Sequence, residues 1–277
     1  VVWRPLLKVS RKEILDYLHS NNIEYFLDKT NENIKYLRAK MRKDILPYLQ
    51  KNFNKEIIDN LVNLSLNSLE LDDYLKRKTK SFFKNLTENS FGACIDLNEL
   101  SELLEIKYII KQIAFSKNIE ISRPVLDLVS SRILEKRPNL RLKLKNCAIY
   151  ADRGYLFVFK HDLKSFNDKI LLADDCFDFG LWKVIIKKNV QKNENSCWKE
   201  IFKDQINIYV PDGKYFMCYP VQNKRLKKIW ENSKVPSFLR RIIPVISNDN
   251  KDIYEFLSGR KLKLNNRNIL QISLKLK

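Results

Sequence analysis

The stretch RPNLRLKLKNCAIYADRGYLFVFK (residues 137–160) decides how the chain divides, because the hydrophobic period changes there from helical to strand-like. After Pro138, leucines alternate with basic residues at a period of two, which predicts a β-strand with two different faces. The turn ADRG then leads into the apolar run YLFVF, so the stretch predicts a β-hairpin. The outward face of its first strand is basic, with Arg141, Lys143 and Lys145, and is either an ordinary solvated face or an anion-binding surface.

Upstream of the hairpin the periodicity is helical. Ser10 and Glu13 have the spacing of a capping box and predict a helix that ends at Asn21-Asn22. Before it, Val1–Leu7 is typical of the end of a buried strand. Further helices are predicted for Ile34–Gln50 (ended or kinked near Pro47), Phe53–Leu86, about Leu97–Leu104, Ile106–Ser116 and Ser122–Glu135. The apolar stripe of the Phe53–Leu86 segment recurs in steps of four and three, which predicts one long helix packed onto its neighbours.

A polar turn in the first third of the chain carries the densest set of candidate site residues. In YFLDKTNENIKYLRAKMRKDILP (residues 25–47), Asp28 and Asn31 lie just before a predicted helix, and Asp28 or Thr30 could cap it. Arg38 and Arg42 are four residues apart and are expected to share a helix face. Two arginines on one face can bind phosphates bidentately, or the segment is simply a capped helix with a solvated basic side.

Downstream of the hairpin, residues 162–222 are rich in predicted strands, and three more strands end the chain. Between them lies NKRLKKIWENSKVPSFLRR (residues 223–241), a predicted helix that Pro236 ends. Its apolar residues Leu226, Ile229 and Trp230 fall on one face, which we expect to pack against the C-terminal sheet. Its basic residues are left outside, as an ordinary solvated face or as a surface for a polyanion: Lys224, Arg225, Lys227 and Lys228, with Arg240 and Arg241 following.

The overall charge points to an anionic partner. The 277 residues include 52 Lys or Arg and 33 Asp or Glu, a formal net charge of +19. A surplus of this size favours nucleic acid or an anionic membrane surface, although a lysine-rich proteome would also produce it. No apolar run is long enough to span a membrane, and the narrow apolar face of residues 223–241 disfavours surface binding to one.

Several classes of site are disfavoured by the residues that are missing. Five glycines, all far apart, cannot form a glycine-rich phosphate loop. Five widely spaced cysteines argue for reduced thiols in a cytoplasmic protein rather than a disulfide framework or a zinc ribbon. His19 and His161 stand alone, so no metal site is expected.

Three stretches, in order along the chain, resemble one family, the tRNA(Ile)-lysidine synthetases. Residues 4–49 resemble the late part of the family's catalytic domain, where the matching residues are Arg4, Pro5, Leu6, Leu7, Arg11, Glu13, Asp28, Thr30, Asn31, Tyr36, Arg38, Arg42 and Pro47. Ala39 departs from the family pattern, which usually has asparagine there. The hairpin stretch resembles the family's middle domain, and NKRLKKIWENSKVPSFLRRIIPVI (residues 223–246) is similar to its C-terminal motif.

The resemblance implies ATP-dependent tRNA modification. Members of this family adenylate C2 of the wobble cytidine in the CAU-anticodon isoleucine tRNA, and lysine then displaces AMP to form lysidine. The implied partners are that tRNA and free L-lysine, the implied cofactor is ATP with Mg²⁺, and a homodimer is an option. Asp28, Asn31, Arg38 and Arg42 would close the catalytic cleft. The tRNA-binding residues would be Lys224, Arg225, Lys227, Lys228, Arg240, Arg241, Arg141, Lys143 and Lys145.

The resemblance also predicts the domain organisation. The expected fold is α+β multidomain: residues 1–50 as the tail of an α/β PP-loop ATP pyrophosphatase domain, 51–162 as a mainly helical domain with a β-hairpin, and 163–277 as a small α+β tRNA-binding domain. The family's SGGxDS loop and its acidic HxxDD-type motif do not occur in this sequence and are expected upstream of Val1, in a longer protein from which this chain was cut. The chain alone is then expected to bind tRNA without forming lysidine. The alternative is a non-catalytic tRNA- or RNA-binding protein built from the same C-terminal modules.

Overall fold

The chain forms two compact units, Val1–Asp72 and Asp73–Lys277. The computed structural model describes residues 3, 5–26, 28, 33–53, 57–89, 91–145, 147–160, 169–172, 175–191, 193–220, 223–250, 252–261 and 268–277. Helices and antiparallel strands are both present, as the predicted mixed α+β class requires. The predicted domain bounds at residues 50 and 162 stay predictions.

The α-helices of the described residues lie mostly in the first half of the chain. Their bounds are α1 Arg11–Ser20, α2 Leu37–Lys40, α3 Leu46–Phe53, α4 Ile57–Thr79, α5 Leu103–Ser116, α6 Arg123–Leu134 and α7 Lys224–Asn232. The predictions of helices at α1, α4, α5, α6 and α7 are therefore confirmed.

Helix α1 begins with the predicted capping box. The Ser10 hydroxyl accepts from the Glu13 N–H, and the Glu13 carboxylate accepts from the Ser10 N–H. These hydrogen bonds hold the pKa of Glu13 below its usual value. The prediction of a strand before this helix is wrong for the described part of that segment, because Pro5–Lys8 form a 3₁₀-helix.

The predicted helix over residues 34–50 starts later and ends later than expected. Its α2 and α3 portions are joined by a π-helical segment, Met41–Ile45, and helical structure continues to Phe53. Pro47 thus does not end the helix; it follows the π-helical segment. A proline has no N–H for the carbonyl one turn earlier and crowds it, which favours an irregular turn just before it.

Helix α4 forms as one long helix, but its apolar stripe is largely exposed. Leu61, Leu64 and Leu71 are each about half exposed, and only Leu75 and Thr79 of this helix are buried. The expected packing of the whole stripe onto neighbouring elements is therefore wrong for this chain.

The strands form three antiparallel sheets. Their bounds are β1 Thr87–Glu88, β2 Gly92–Asp96, β3 Leu140–Lys143, β4 Ala148–Asp152, β5 Tyr155–Phe159, β6 Lys169–Leu171, β7 Cys176–Phe179, β8 Trp182–Lys187, β9 Ile206–Pro211, β10 Tyr215–Cys218, β11 Val245–Asn248, β12 Ile253–Glu255 and β13 Ile269–Leu276. The strand orders are β1-β2-β5-β4-β3, β12-β11-β10-β6 and β7-β8-β13-β9.

The hairpin prediction is confirmed, and the structure adds a second turn to it. Strands β4 and β5 pair across a tight turn in which Arg153 and Gly154 have φ angles of 47° and 85°. The stretch before them, which the sequence suggested as one strand, is split into β3 and β4 by a turn closed by the Leu144 N–H and the Cys147 carbonyl. The predicted helix near Leu97 is wrong, because β2 ends at Asp96 and Leu97–Leu100 form a turn.

The three central strands of the five-stranded sheet, β2, β5 and β4, are buried on both faces. Their residues alternate between two hydrophobic clusters, as the strand period of two requires. The face against α5 and α6 is aliphatic, with Ile95, Ile149 and Val158 among its residues. The opposite face is aromatic, and Tyr150, Phe157 and Phe159 on it join the core of the C-terminal sheets. Residues 73–277 therefore contain two cores that share one sheet.

The last part of the chain is fastened to the aromatic face by a segment after α7. The Phe238 ring stacks on Tyr150 with centroids 4.1 Å apart and meets Phe157 edge-on at 5.0 Å. The buried Trp182 indole N–H donates to the Ile242 carbonyl at 2.8 Å. These contacts hold the segment after α7 against the five-stranded sheet and against β8 of the sheet β7-β8-β13-β9.

Two features bear on compartment and membranes. All five cysteines are free thiols, with Cys94 and Cys147 buried and Cys176 exposed. Within the described residues, no helix has the length and apolar character needed to cross a bilayer.

Candidate nucleic-acid interface

Helix α7 presents a basic surface because its apolar face is fixed to the core. Asn223 caps its first turn by accepting from the Leu226 N–H at 3.0 Å. Leu226 and Trp230 are buried, and the Trp230 indole N–H donates to the Glu255 carboxylate at 2.8 Å. The predicted packing of this face is confirmed, and the orientation of the helix leaves its cations pointing away from the core.

The four predicted cations of α7 are all exposed. Only Lys227 forms an ion pair in the described part of the chain, a loose contact of 3.9 Å to Glu231. A surface pair at this distance contributes little, roughly 0–1 kcal/mol. Lys224, Arg225, Lys227 and Lys228 are thus available to neutralise phosphates.

Arg240 and Arg241 differ sharply although they are adjacent in sequence. Arg241 is exposed, whereas the Arg240 side chain is only 18% exposed. The Arg240 guanidinium donates twice to the Val235 carbonyl, at 3.1 and 2.7 Å, and lies 4.0 Å from Glu231. Burial lowers the pKa of Arg240. Arg240 therefore fixes the turn after α7, and Arg241 faces solvent.

Two of the basic residues of the hairpin, Arg141 and Lys143, lie on strand β3 at the edge of the five-stranded sheet, and Lys145 lies in the turn that follows it. Arg141, Lys143 and Lys145 are exposed, and the Arg141 guanidinium lies 6.0 Å from the Tyr150 ring centre. The residue before β3, Asn139, accepts a hydrogen bond from the Ser237 hydroxyl at 2.5 Å. This bond brings the start of the basic strand next to the segment that carries Arg241.

The N-terminal candidates lie on the surface of the first unit. Asp28, Arg38 and Arg42 are exposed, and Arg42 is in the π-helical segment, a feature that occurs often at functional sites. Asn31 and Thr30 are outside the described residues, as is Arg4 of the same stretch. Asp28 is not the N-cap, since the helix begins at Leu37 and its N-cap is Tyr36, which makes no side-chain capping bond. Ala39, the departure from the family pattern, is buried.

A cleft that the sequence did not indicate lies inside the second unit. It has a volume of about 670 Å³, and it is lined by Asp96, Asn98, Lys136, Asp152, Arg153, Tyr155, Trp198, Lys199, Asn232, Ser233 and Lys234. Residues from the five-stranded sheet form one side and residues from the C-terminal part form the other.

Burial and hydrogen bonding shift the pKa values of Asp96, Tyr155 and Lys199 in the cleft. Burial raises the pKa of Asp96, but hydrogen bonds from Tyr155 and Asn98 outweigh this and lower it. Burial raises the pKa of Tyr155, and a hydrogen bond with Tyr155 raises the pKa of Lys199. The site therefore contains a carboxylate and an ammonium group joined by one phenol.

Comparisons with known proteins match both the N-terminal stretch and nearly the whole of the chain. A family model described as a PP-loop domain matches residues 1–49. The tRNA(Ile)-lysidine synthase of Protochlamydia amoebophila (strain UWE25) is 28% identical over 268 residues, which cover 92% of this chain and 58% of that protein. The chain is a homologue of the tRNA(Ile)-lysidine synthases.

Two further lysidine synthases are also similar to this chain. The tRNA(Ile)-lysidine synthase of Mycoplasma mycoides subsp. mycoides SC is 28% identical over 258 residues, covering 90% of this chain and 60% of that protein. The tRNA(Ile)-lysidine synthase of Chlamydia muridarum is 33% identical over 147 residues, which cover 52% of this chain and 45% of that protein. The chain spans less than two thirds of the length of these lysidine synthases.

The PP-loop match implies ATP binding, but residues 1–49 do not form a complete phosphate site. This stretch contains no glycine, so it has no glycine-rich loop to direct backbone N–H groups at phosphate oxygens. Arg38 and Arg42 supply positive charge and bidentate donors alone. No catalytic step follows from these residues by themselves.

Proposed function

We propose that this chain is the tRNA-holding part of a lysidine synthase, the ligase that uses ATP to join lysine to C2 of the wobble cytidine in the CAU-anticodon isoleucine tRNA. In that reaction the cytidine is adenylated first, and the lysine amine then displaces AMP. The proposal includes a cytoplasmic location, with the tRNA, free L-lysine and ATP with Mg²⁺ as ligands of the complete enzyme.

The observation that carries the proposal is the two-sided construction of α7. Trp230 and Leu226 are buried and fix the orientation of this helix, so its four cations stay on one surface. The hairpin cations on β3 lie on an edge strand that is tied to the segment after α7. Fixed cations on two adjacent elements suit a rigid, regularly spaced phosphate backbone.

The residues of the first unit have a different role in this proposal. Asp28, Asn31, Arg38 and Arg42 would border the reacting groups, and the two arginines would stabilise negative charge that develops on phosphate during adenylation. Their exposure leaves them free for such contacts. Replacing them should leave tRNA affinity nearly unchanged while it reduces turnover in the complete enzyme.

The test is a binding titration across salt concentrations. Transcripts of the CAU-anticodon isoleucine tRNA and of a methionine tRNA would be titrated with the chain and with a variant in which Lys224, Arg225, Lys227 and Lys228 are alanine. We expect weaker binding, and a slope of log K against log salt that flattens by about 0.9 for each lost phosphate contact. The matched control replaces four exposed lysines of the C-terminal sheets, Lys183, Lys187, Lys188 and Lys275, and removes the same charge.

The two variants separate a defined surface from general basicity. Equal losses in both would contradict the α7 surface, because net charge alone would then explain binding. Weaker binding to the methionine tRNA would place part of the discrimination in this chain. If the variants behave as expected and the complete protein forms no lysidine, the chain belongs to a non-catalytic RNA-binding protein instead.

A further inference from the structure

An unusual backbone pattern marks the cleft of the second unit. Among the described residues, eight non-glycine residues have positive φ angles, and five of them are asparagine. Asparagine is the side chain that tolerates this region best after glycine. The other three are Lys136, Arg153 and Lys234, with φ angles of 51°, 47° and 52°, and all three line the cleft.

Two of these basic residues occupy positions where glycine or asparagine is usual. Lys136 follows α6 and Lys234 follows α7, and each donates its N–H back to the helix, to the carbonyls of Ile133 and Glu231. This is the helix-ending motif that normally has glycine at that position. A long side chain there costs roughly 1 kcal/mol more than glycine. A lysine could offset the helix dipole from neighbouring positions without this strain.

The basic residues that line the cleft (Lys136, Arg153, Lys199 and Lys234) outnumber its acids (Asp96 and Asp152) by four to two. In the described part of the chain, Lys136, Lys199 and Lys234 take part in no salt bridge. Arg153 lies 3.6 Å from Asp152, yet its Nη1 atom is buried and has no hydrogen-bond partner. Leaving such a donor unpaired is unfavourable, so the group is suited to an acceptor from a ligand.

The other lining groups suit a nucleoside. The rings of Tyr155 and Trp198 meet edge-on with centroids 4.8 Å apart, and the Lys199 ammonium lies 5.2 Å from the Tyr155 ring centre. Asp96 and Asn98 offer acceptors and donors to sugar hydroxyls. A volume of about 670 Å³ is in the range of small-ligand sites. It admits one nucleotide and excludes a duplex, so an RNA strand can enter only where it is unpaired.

We propose that this cleft binds one nucleotide of an unpaired RNA strand, with its phosphate held by Lys136, Arg153 and Lys234 and its base against the half-buried Tyr155, which the buried Trp198 supports edge-on. The proposal rests on the proposed tRNA-binding function and adds to it a second, separate site. Helix α7 and the hairpin would hold paired regions by their backbones, and the cleft would hold a single-stranded segment.

The decisive variant replaces Lys136 and Lys234 with asparagine, the residue that the chain itself uses at its other left-handed positions. This removes two charges without straining the backbone, and the melting temperature reports whether the fold is intact. Binding of a fluorescently labelled RNA tetranucleotide would be measured by anisotropy across salt. We expect at least a tenfold loss of affinity and a salt slope flatter by about 1.4, from about 0.7 for each of two single-strand contacts.

Controls distinguish the cleft from general charge and from other ligands. The variant Lys183→Asn with Lys187→Asn removes two exposed lysines elsewhere and should bind the tetranucleotide as the parent chain does. A short RNA duplex should bind the Lys136→Asn, Lys234→Asn variant within twofold of the parent chain. AMP and inorganic phosphate test whether a free nucleotide suffices; if AMP binds as tightly as the tetranucleotide, the assignment to an RNA strand is wrong.

The two proposals fail in different ways. Unchanged tetranucleotide affinity in the cleft variant overturns the cleft proposal, even if the α7 variant loses tRNA binding as expected. Conversely, a cleft variant that loses the tetranucleotide while the α7 variant keeps its tRNA affinity supports the cleft and overturns the α7 surface.

Discussion

Residues 1–72 and 73–277 are built in opposite ways. In the first unit Ala39 is the single buried residue among those described, and Trp3 and Leu37 are 84% and 72% exposed. The second unit contains two hydrophobic clusters on the two faces of one sheet. The candidate catalytic residues therefore lie on a unit in which almost no described residue is buried. The candidate RNA-binding residues lie on a unit in which packed hydrophobic cores hold the helices and strands in place.

The largest expected effect tests this difference by removing one side chain from each unit. Trp182→Ala removes a buried indole and its 2.8 Å hydrogen bond to Ile242, and should lower the free energy of unfolding by about 3–5 kcal/mol. Leu64→Ala, at an exposed position of α4, should change it by less than about 0.5 kcal/mol. Urea unfolding measures both, and equal losses would break the comparison.

A smaller effect distinguishes, within the second unit, a residue that stabilises the fold from one that contacts tRNA. Arg240→Ala removes two hydrogen bonds to the Val235 carbonyl and should lower the free energy of unfolding by about 1–3 kcal/mol. Its neighbour gives the matched case: Arg241→Ala should leave the unfolding midpoint unchanged and weaken tRNA binding. If Arg241→Ala destabilises the fold as much as Arg240→Ala does, the assignment of separate roles is wrong.

A local effect is expected in the first unit. Ser10→Ala removes the cap of α1 and should destabilise that helix by about 1 kcal/mol. Because the unit has little buried surface to resist fraying, faster amide exchange should be confined to α1. Hydrogen exchange measures it, with the amides of α5 as the internal control. Faster exchange in α5 as well would show that the two units unfold together.

The smallest effect concerns pH. Burial raises the pKa of Asp152, and this outweighs the hydrogen bond from Asn139 and the charge of Arg153. The folded protein thus favours the neutral acid, so this residue lowers stability as the pH rises from the unfolded-state value through the raised folded-state value. Asp152→Asn should therefore gain stability relative to the parent chain as the pH rises from below to above the usual aspartate pKa of about 3.9. A constant difference in unfolding free energy across that range would contradict the pKa direction.

Local signals account for the parts that sequence reasoning predicted. Helix α7 has an amphipathic pattern, an asparagine cap and a following proline, all within one short stretch, and α1 has its capping box. The strands after residue 168 alternate or are bounded by turn residues. In each case the residues that decide the structure are neighbours in sequence, so the pattern is sufficient.

The missed parts depend on residues far apart in the chain. The run GACID at β2 is too short to separate a buried strand from a helix, and its pairing with β5, more than 50 positions later, decides it. Lys136 and Lys234 adopt left-handed backbone just after helix ends. Their sequence does not indicate this, because glycine or asparagine is the usual residue there and a lysine adopts this conformation only with some strain. Nothing in the sequence shows that these residues and Arg153 meet at one cleft, since long-range packing brings them together.

The sheet shared by two cores has a practical meaning for anyone dividing this protein. A fragment that stops at residue 160 would expose the aromatic row of Tyr150, Phe157 and Phe159 to water, and one that starts after it would leave Phe238 and Phe202 without their counterpart. Both fragments would expose a large apolar surface, which favours self-association. A truncated protein should therefore keep residues 73–277 together, because the cleft and helix α7 both depend on the sheet that the two cores share.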